Sequence, residues 1–380
     1  MRPNPGLTQD RAALVSSADR VLSSEERVAL ASLADELGQS GLGEYFACFD
    51  PLRPRQGDWY RYCRYVPSRL RPLVDLFLLN EPVGVDRLPD AIRLLLPVLV
   101  RLGLVEEADD GAQLQHGLVL LPVFGRWIFC HPPGENPLFY FGDDSLGLLA
   151  RILPRAGGPC LDLCSGPGLL ALHSAGIASH VTAVEVNADA AHLARLNVAM
   201  NKLTGRVDVL QGDLFAPVSG RRFDTIVANP PMLPYPAALK APFIGHGGSD
   251  GLHVARRVLA GLSEALTESG TAQIIGMCLS DGVVPVAMGA LQEIAQGQGL
   301  DLTVSVLSHK SLAPGSPLLE ALVATVAVAS RANESTVRAA YDDLCAQFRA
   351  THVCDLFIHA RRGEGALDVV DVARASDAGE

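Results

Sequence analysis

The sequence predicts an α/β protein whose core is a mostly parallel sheet flanked by helices. From Ser145 onward, apolar stretches of strand length alternate with stretches of helical periodicity, which is typical of a parallel sheet. Hydrophobic residues make up 48% of the 380 residues and charged residues 19%, as expected for a protein with a large buried core. A chain of this length suits two domains, one of them an α/β unit of roughly 200 residues.

The residues before the α/β unit are predicted to form a mainly helical domain. The segment 1–22 is expected to be loosely ordered and flexible, so this domain is assigned to residues 23–135. Helices followed by a two-stranded ribbon resemble a winged helix, although that fold does not by itself imply DNA binding. The predicted helices cover 24–37, with Ser23 or Ser24 as the N-cap, 67–80 and 90–102, and the predicted strands cover 114–121 and 125–130.

The α/β domain is assigned to residues 136–362, and a polar tail is predicted over 363–380. Short apolar runs bounded by turn residues predict its strands, and amphipathic stretches between them predict its helices. The predicted strands cover 159–164, 180–186, 206–211, 225–228, 272–277, 302–308, 322–329 and 353–359, and the predicted helices cover 168–175, 188–201, 251–267, 285–299 and 335–350.

Charge and composition exclude several classes of protein. A net charge of −11 disfavours nucleic acid, and the densest basic group, within 60–71, is interpreted as a solvated helix face. No apolar run reaches the ~18 residues that cross a bilayer, and no signal peptide is visible. The eight cysteines never form a C-x-x-C pair, so we expect reduced thiols and no metal site. These features predict a cytoplasmic protein.

A glycine loop follows the first core strand, and an acidic residue ends the second. Gly166 and Gly168 let the backbone turn tightly after Asp162 and approach a ligand closely, while the next helix offers free N–H groups. Glu185 ends the second strand, where a carboxylate accepts hydrogen bonds from both ribose hydroxyls of a nucleoside. Enzymes that bind NAD share both features, so the pair does not choose between NAD and S-adenosylmethionine (SAM).

Two later motifs favour SAM. Gly212-Asp213-Leu214-Phe215 follows the third core strand, and Asn229-Pro230-Pro231 follows the fourth. In this order the motifs resemble those of the amino-methylating branch of the class I SAM-dependent methyltransferases, which includes glutamine N5-methyltransferases. The resemblance implies a Rossmann-like core of seven strands, the last one antiparallel to the others. It also implies cofactor contacts at Asp162, Cys164, Gly166, Gly168, Glu185, Asn187, Asp213, Leu214, Phe215 and Asn229.

The resemblance assigns the chemistry to Asn229 and Pro230. In the family, the Asn side-chain oxygen and the first proline's carbonyl accept hydrogen bonds from the target amine. These bonds point the nitrogen lone pair at the methyl group and stabilise the positive charge that develops. No strong base is required, because a sulfonium is a good leaving group. Asp213 would receive the adenine amino group, and Phe215 would border the adenine face.

Five residues are predicted to contact the substrate. Met232 stands where the family usually carries Tyr or Phe, whose ring stacks on a planar acceptor; a flexible methionine therefore predicts an aliphatic amine, unless Tyr235 swings in to compensate. Tyr140 and Phe141 are predicted to contact the sulfonium through their ring faces, and Asp144 to bind an ammonium. The alternative is that both aromatic rings pack a domain seam and that Asp144 caps a helix.

The sequence thus predicts a SAM-dependent N-methyltransferase that acts on a small-molecule amine, in secondary metabolism. Three alternatives remain open. The first is methylation of a glutamine in a protein, and the second is methylation of nucleic acid. In the third, SAM alone is the substrate: its α-amino group attacks its γ-carbon, which yields azetidine-2-carboxylate and methylthioadenosine. Azetidine-forming synthases of natural-product pathways have this fold.

Overall fold

A computed structural model describes residues 21–50, 52, 55–108, 111–132, 139–240 and 245–377. Residues 1–20 of the predicted flexible segment 1–22 lie outside the described residues. The chain divides into two compact units, the first made of residues 1–147, 165–176 and 185–211 and the second of residues 148–164, 177–184 and 212–380. The first unit therefore includes two segments that the sequence assigned to the α/β domain.

Helices occur in both units. Ser23 caps the first one, as predicted: its hydroxyl accepts the Glu26 N–H at 3.2 Å, and the Glu26 carboxylate accepts the Ser23 N–H at 2.8 Å. The α-helices of the described residues are α1 (Ser24–Ser40), α2 (Leu42–Phe46), α3 (Gln56–Tyr62), α4 (Arg71–Leu73, continued by a π-helix at Val74–Leu78), α5 (Asp90–Arg101), α6 (Asp143–Leu149), α7 (Leu169–Ser174), α8 (Ala188–Met200), α9 (His253–Ala265), α10 (Met288–Gln298), α11 (Pro317–Ser330), α12 (Glu334–Phe348) and α13 (Val372–Asp377).

The strands form two hairpins and a large sheet. They are β1 (Val105–Ala108), β2 (Gly111–Leu114), β3 (Val119–Val123), β4 (Arg126–Cys130), β5 (Pro159–Leu163), β6 (His180–Glu185), β7 (Val207–Gln211), β8 (Phe223–Ala228), β9 (Leu266–Ser280), β10 (Leu300–Ser311), β11 (His352–Arg362) and β12 (Leu367–Asp371).

The sheet of the second unit has the predicted parallel core. Its order is β12-β10-β11-β9-β8-β5-β6. Strands β6, β5, β8 and β9 pair in parallel, whereas β11 is antiparallel to both β9 and β10. The α/β class and the antiparallel last core strand are therefore confirmed. Because the carboxyl ends of parallel strands meet at one edge, this topology puts the loops after β5 and β8 at the same edge of the sheet.

The N-terminal hairpins differ from the prediction. The sequence indicated one ribbon, but β1 and β2 form an additional hairpin directly after α5, and Val83 bridges to Ala112 beside it. Glu106 and Glu107 give β1 no apolar alternation, which is why the pattern missed it. The predicted ribbon corresponds to β3 and β4. Helices followed by a hairpin agree with the winged-helix-like prediction.

The predicted strand at 322–329 is wrong, because this segment lies within helix α11. Ser316 caps the helix by accepting the Leu319 N–H, and Pro317 takes the first helical position, where a missing N–H costs nothing. The buried side chains recur at helical spacing: Leu319, Leu322, Val323 and Val326. The run of valines suggested a strand, but packing of this helical face decided the conformation.

The predicted polar tail at 363–380 is also corrected. Residues Leu367–Asp371 form β12, which pairs in parallel with Leu302–Val306 of β10, and α13 follows it. The side chains of β12 are largely exposed, so the sequence carries no hydrophobic signal. Backbone hydrogen bonds to an open sheet edge are enough to form the strand. In the part of the chain described here, none of the helices has the length and apolar character to span a bilayer.

Candidate active site

The glycine loop after β5 has the backbone geometry that its residues predict. Cys164 has φ 57°, Gly166 has φ 52° and Gly168 has φ 91°. Gly168 caps α7, and a Cβ at this position would lie 3.3 Å from the Cβ of Ala194 on α8. The positive φ favours a glycine here, and the approach to Ala194 leaves little room for a side chain. Asp162, at the end of β5, is fully buried.

Glu185 at the end of β6 is held by two backbone donors. Its Oε2 accepts the Gly166 N–H at 2.8 Å, and its Oε1 accepts the Asn187 N–H at 2.8 Å. Burial raises the pKa of this carboxyl above its usual value, while the hydrogen bonds from Asn187 and Gly166 oppose that rise. The Val186 backbone also hydrogen-bonds this carboxyl. A carboxylate offers about four acceptor positions, so Glu185 can still accept a hydrogen bond from a ribose hydroxyl of SAM.

Asn187 has a structural role here. Its side-chain oxygen accepts the Asp189 N–H at 3.0 Å and so caps α8, while its own N–H holds Glu185. The cofactor contact predicted for Asn187 stays a prediction.

Asn197 supports the glycine loop from behind. The sequence around Asn197 and Asn201 resembles the corresponding helix of the family, which predicts structural roles for both residues. The side chain is fully buried, and its amide nitrogen donates to the carbonyl of Pro167 at 2.9 Å and to that of Phe129 at 3.0 Å. Its oxygen accepts the Phe129 N–H at 2.8 Å. One turn later, Asn201 makes the same pair of bonds to Trp127.

The turn after β7 brings Asp213 next to a cation that the sequence analysis missed. Arg257 of α9 lies 2.6 Å from the Asp213 carboxylate, and both side chains are about half exposed. Leu214 adopts φ 49°, which tightens the turn. The Phe215 ring packs against Gly261 of α9, where a Cβ would lie 2.5 Å from it. The structure thus gives Phe215 a packing contact with α9.

The Asn229-Pro230-Pro231 motif follows β8 directly, and a glycine-rich segment braces the residues after it. The Leu233 N–H donates to Gly245, the Gly247 N–H donates to Leu233, and the Tyr235 N–H donates to Gly248, each at 3.0 Å. A Cβ on Gly247 would lie 2.6 Å from the Met232 backbone, so only glycine allows this approach. We call residues 229–235 the acceptor loop.

The two residues of the acceptor loop that are predicted to contact the acceptor are both buried. Tyr235 is buried, its hydroxyl donates to the Lys240 carbonyl at 2.8 Å, and its ring centroid lies 5.1 Å from that of His246. It is part of an apolar core, and its predicted contact with the acceptor stays a prediction. Met232 is itself 8% exposed.

The segment before α6 separates the aromatic pair that the sequence grouped. Phe141 is buried, whereas Tyr140 is 40% exposed and donates its hydroxyl to Asp144 at 2.6 Å. Helix α6 begins at Asp143, so Asp144 lies in its first turn. The Asp144 carboxylate accepts the hydrogen bond from Tyr140, and the substrate contacts predicted for Tyr140, Phe141 and Asp144 stay predictions.

A separate Cys–His–Asp row crosses three strands of the second unit. Cys354 Sγ lies 3.2 Å from His309 Nδ1, and His309 Nε2 lies 2.9 Å from Asp371. Such a row can activate a nucleophile, but Cys354 is fully buried, and burial raises the pKa of its thiol. We interpret the row as a structural network.

Comparison with known proteins identifies the domain that carries the motifs. Residues 142–277 match the family model described as "Methyltransferase small domain". This segment is a class I methyltransferase domain. It contains Asp162, Glu185, Asp213 and Asn229, and the match supports SAM as the cofactor.

Two curated relatives specify the branch. A ribosomal protein uL3 glutamine methyltransferase from Bradyrhizobium diazoefficiens is 38% identical over 147 residues, which are 36% of this chain and 46% of that protein. A release factor glutamine methyltransferase from Moorella thermoacetica is 33% identical over 133 residues, 32% of this chain and 47% of that protein. The chain thus spans less than half of the length of each. These relatives support the Asn-Pro-Pro, glutamine N5-methyltransferase-like branch.

A solved structure of Trm5b from Pyrococcus abyssi is 13% identical, covers 68% of this chain and 62% of that one, and has a TM-score of 0.40. An identity and a TM-score this low support no conclusion about function.

The relatives correct the predicted partner. A small-molecule amine, or SAM alone, was expected as the substrate, but both relatives are named for protein substrates. The error came from Met232, which was interpreted as excluding a planar acceptor. None of these matches indicates secondary metabolism, and none supports a relation to azetidine-forming synthases.

Proposed function

We propose that this protein uses SAM to methylate the side-chain amide nitrogen of a glutamine in a protein of the translation machinery. The observation that carries the proposal is the Asn229-Pro230-Pro231 loop at the carboxyl end of β8, within the segment that matches the methyltransferase small domain, in a chain that is similar to glutamine methyltransferases. Its support is the joint presence of Glu185, Asp213 and Asn229 in that segment.

The residues of the acceptor loop account for the chemistry. Bound SAM supplies an activated methyl group on a sulfonium. The Asn229 side-chain oxygen and the Pro230 carbonyl accept hydrogen bonds from the two N–H groups of the glutamine amide. These bonds orient the amide nitrogen for in-line attack on the methyl group. The same two dipoles stabilise the positive charge that develops on nitrogen. Pro230 and Pro231 carry no N–H, so the loop has no donor there that competes for these acceptors.

Met232 is compatible with a planar acceptor. Its thioether side chain is polarisable and adapts its shape, so it can cover the face of an amide without the geometry of ring stacking. We therefore propose that Met232 replaces the aromatic ring of the family as an apolar cover. The Glu185 carboxylate holds the ribose, and Asp213 receives the adenine amino group.

The test uses the purified chain with SAM and, separately, ribosomal protein uL3 and a release factor. Peptide mass spectrometry should find one methyl group on a glutamine of one of these proteins, together with release of S-adenosylhomocysteine. The Asn229→Ala variant should bind SAM and leave both proteins unmodified. If the wild-type chain binds SAM and modifies neither protein, the proposed substrate class is wrong.

A further inference from the structure

The helical hairpin α11–α12, inserted between β10 and β11, has no role in the chemistry described above. We propose that it positions the acceptor loop through Tyr341 and thereby determines the affinity for the protein acceptor. This inference rests on the proposed function, and its test separates the two.

The contact is a buried hydrogen bond between distant parts of the chain. The Tyr341 hydroxyl of α12 donates to the carbonyl of Pro234 at 2.9 Å, and both residues are buried. Burial raises the pKa of Tyr341, so its hydroxyl remains a protonated donor. A buried carbonyl requires a donor, and here a side chain 107 positions away supplies it.

The acceptor loop depends on such outside contacts because it is rich in proline. Pro230, Pro231 and Pro234 carry no N–H, so few of its residues can form backbone hydrogen bonds to one another. Gly245–Gly248 supply backbone bonds to Leu233 and Tyr235. Tyr341 supplies the bond to Pro234, the residue between them.

Apolar packing adds to this hydrogen bond. Tyr235 is buried in one cluster with Leu319, Leu322, Val323 and Val326 of α11 and with Val337, Tyr341 and Leu344 of α12. Leu233 and Leu239 pack against the same cluster. On the exposed side, Arg338 of α12 pairs with Glu320 of α11 through two hydrogen bonds at 2.7 and 2.9 Å. The hairpin is therefore a braced unit on which side chains from the loop rest.

The position of the loop sets that of the groups that hold the acceptor. Asn229 and Pro230 lie five and four residues before Pro234, and the prolines in this stretch limit how far the chain can adjust. A change at Tyr341 should consequently alter acceptor binding. Binding of SAM depends on Glu185, whose hydrogen bonds come from Gly166 and Asn187, so it should not change.

The test compares Tyr341→Phe with Tyr60→Phe in the full-length chain. Tyr60 is a control from the first unit whose hydroxyl also donates to a backbone carbonyl, that of Leu79 at 3.0 Å, although its side chain is 43% exposed and also bonds Glu81. Removing the Tyr341 hydroxyl should raise KM for the acceptor protein about tenfold, the effect of one lost hydrogen bond to a buried carbonyl. The Kd for SAM should stay within about twofold of the wild-type value, and Tyr60→Phe should leave both constants unchanged.

Hydrogen–deuterium exchange gives a readout that does not depend on activity. Backbone amides of residues 232–240 should exchange faster in Tyr341→Phe than in Tyr60→Phe or the wild-type protein. Unchanged exchange in this segment, or a lower melting temperature with an unchanged acceptor KM, would overturn the positioning role. If no protein is methylated but exchange increases as expected, the proposed substrate is wrong and Tyr341 still positions the loop.

Discussion

The cofactor-binding region and the acceptor loop are held in place in different ways. The two backbone donors on Glu185 come from Gly166 and Asn187, which lie 19 and two residues away in sequence. The acceptor loop is held by Gly245–Gly248 and by Tyr341, which lies 107 residues from Pro234. The bonds to Glu185 and those from Gly245–Gly248 thus come from within 19 residues in sequence, whereas the bond from Tyr341 makes the acceptor loop depend on a remote element as well.

This difference explains why the cofactor could be predicted and the acceptor could not. Glycines with positive φ and a carboxylate at a strand end are recognisable in the sequence, because local geometry requires those residue types. The packing around Met232 depends on other segments of the chain, whose sequence the Asn229-Pro230-Pro231 motif does not determine. Each of the following predictions tests one side of this comparison.

The largest effect is expected at Asn229. Replacing it with Ala removes the side-chain oxygen that orients the acceptor, and kcat should fall by about 10²–10³, as when one preorganised polar group is lost from an active site. Binding of SAM, measured by calorimetry, should persist. A loss of less than about tenfold in kcat would show that the acceptor loop does not carry the chemistry.

The next effect concerns the support of the glycine loop. The Asn197→Ala variant leaves the buried Phe129 N–H and the Pro167 carbonyl without their partner, so the free energy of unfolding should fall by about 3 kcal/mol. Asn201→Ala is the matched comparison, because Asn201 is only partly buried and should cost less. Urea denaturation measures both, and equal losses would contradict a special role for Asn197.

The third prediction concerns Glu185 and pH. Glu185→Gln should weaken SAM binding by about tenfold, since it removes a charged acceptor for the ribose. Because burial raises the pKa of Glu185, the affinity of the wild-type protein for SAM should fall as the pH drops. The fall should begin above pH 4.5, the ordinary pKa of this carboxyl.

The stability of the ligand-free protein should respond to pH in the opposite sense. The contribution of Glu185 to the free energy of folding is fully present below pH 4.5, the ordinary pKa of this carboxyl. It is lost as the pH rises through the raised pKa that the carboxyl has in the folded protein. Calorimetric titration with SAM and thermal unfolding over this range measure the two trends. Glu185→Gln should flatten both, and an unaltered pH profile in that variant would exclude this carboxyl as their source.

The smallest effect is expected at Arg257. Its ion pair with Asp213 is about half exposed, so Arg257→Ala should change the free energy of unfolding by only about 0.5 kcal/mol. If the adenine amino group donates to the Asp213 carboxylate, the Kd of the Arg257→Ala variant for SAM should differ from the wild-type value by no more than about threefold. A much larger loss of affinity would show that Arg257 itself binds the cofactor.

Much of the core was predictable because its strands and helices have distinct periodicities. Strands β5, β6 and β8 to β11 and helices α7 to α10 and α12 all correspond to predicted elements. Helix α11 was mistaken for a strand, since valines favour strands and the packing of its buried face is not visible in sequence. The exposed strands β1 and β12 lack a hydrophobic pattern, so their formation depends on partners elsewhere in the chain.

The sequence alone determined the glycine loop, the carboxylate at Glu185 and the order of the motifs that end with Asn229-Pro230-Pro231. These features depend on what single residue types can do: glycine adopts positive φ, proline lacks an N–H, and a carboxylate accepts hydrogen bonds. Only the tertiary structure decided that Tyr235 is buried, that Asn197 holds the glycine loop and that Tyr341 reaches Pro234. The contacts of a side chain depend on which distant segments pack against it, and the local sequence does not determine those segments.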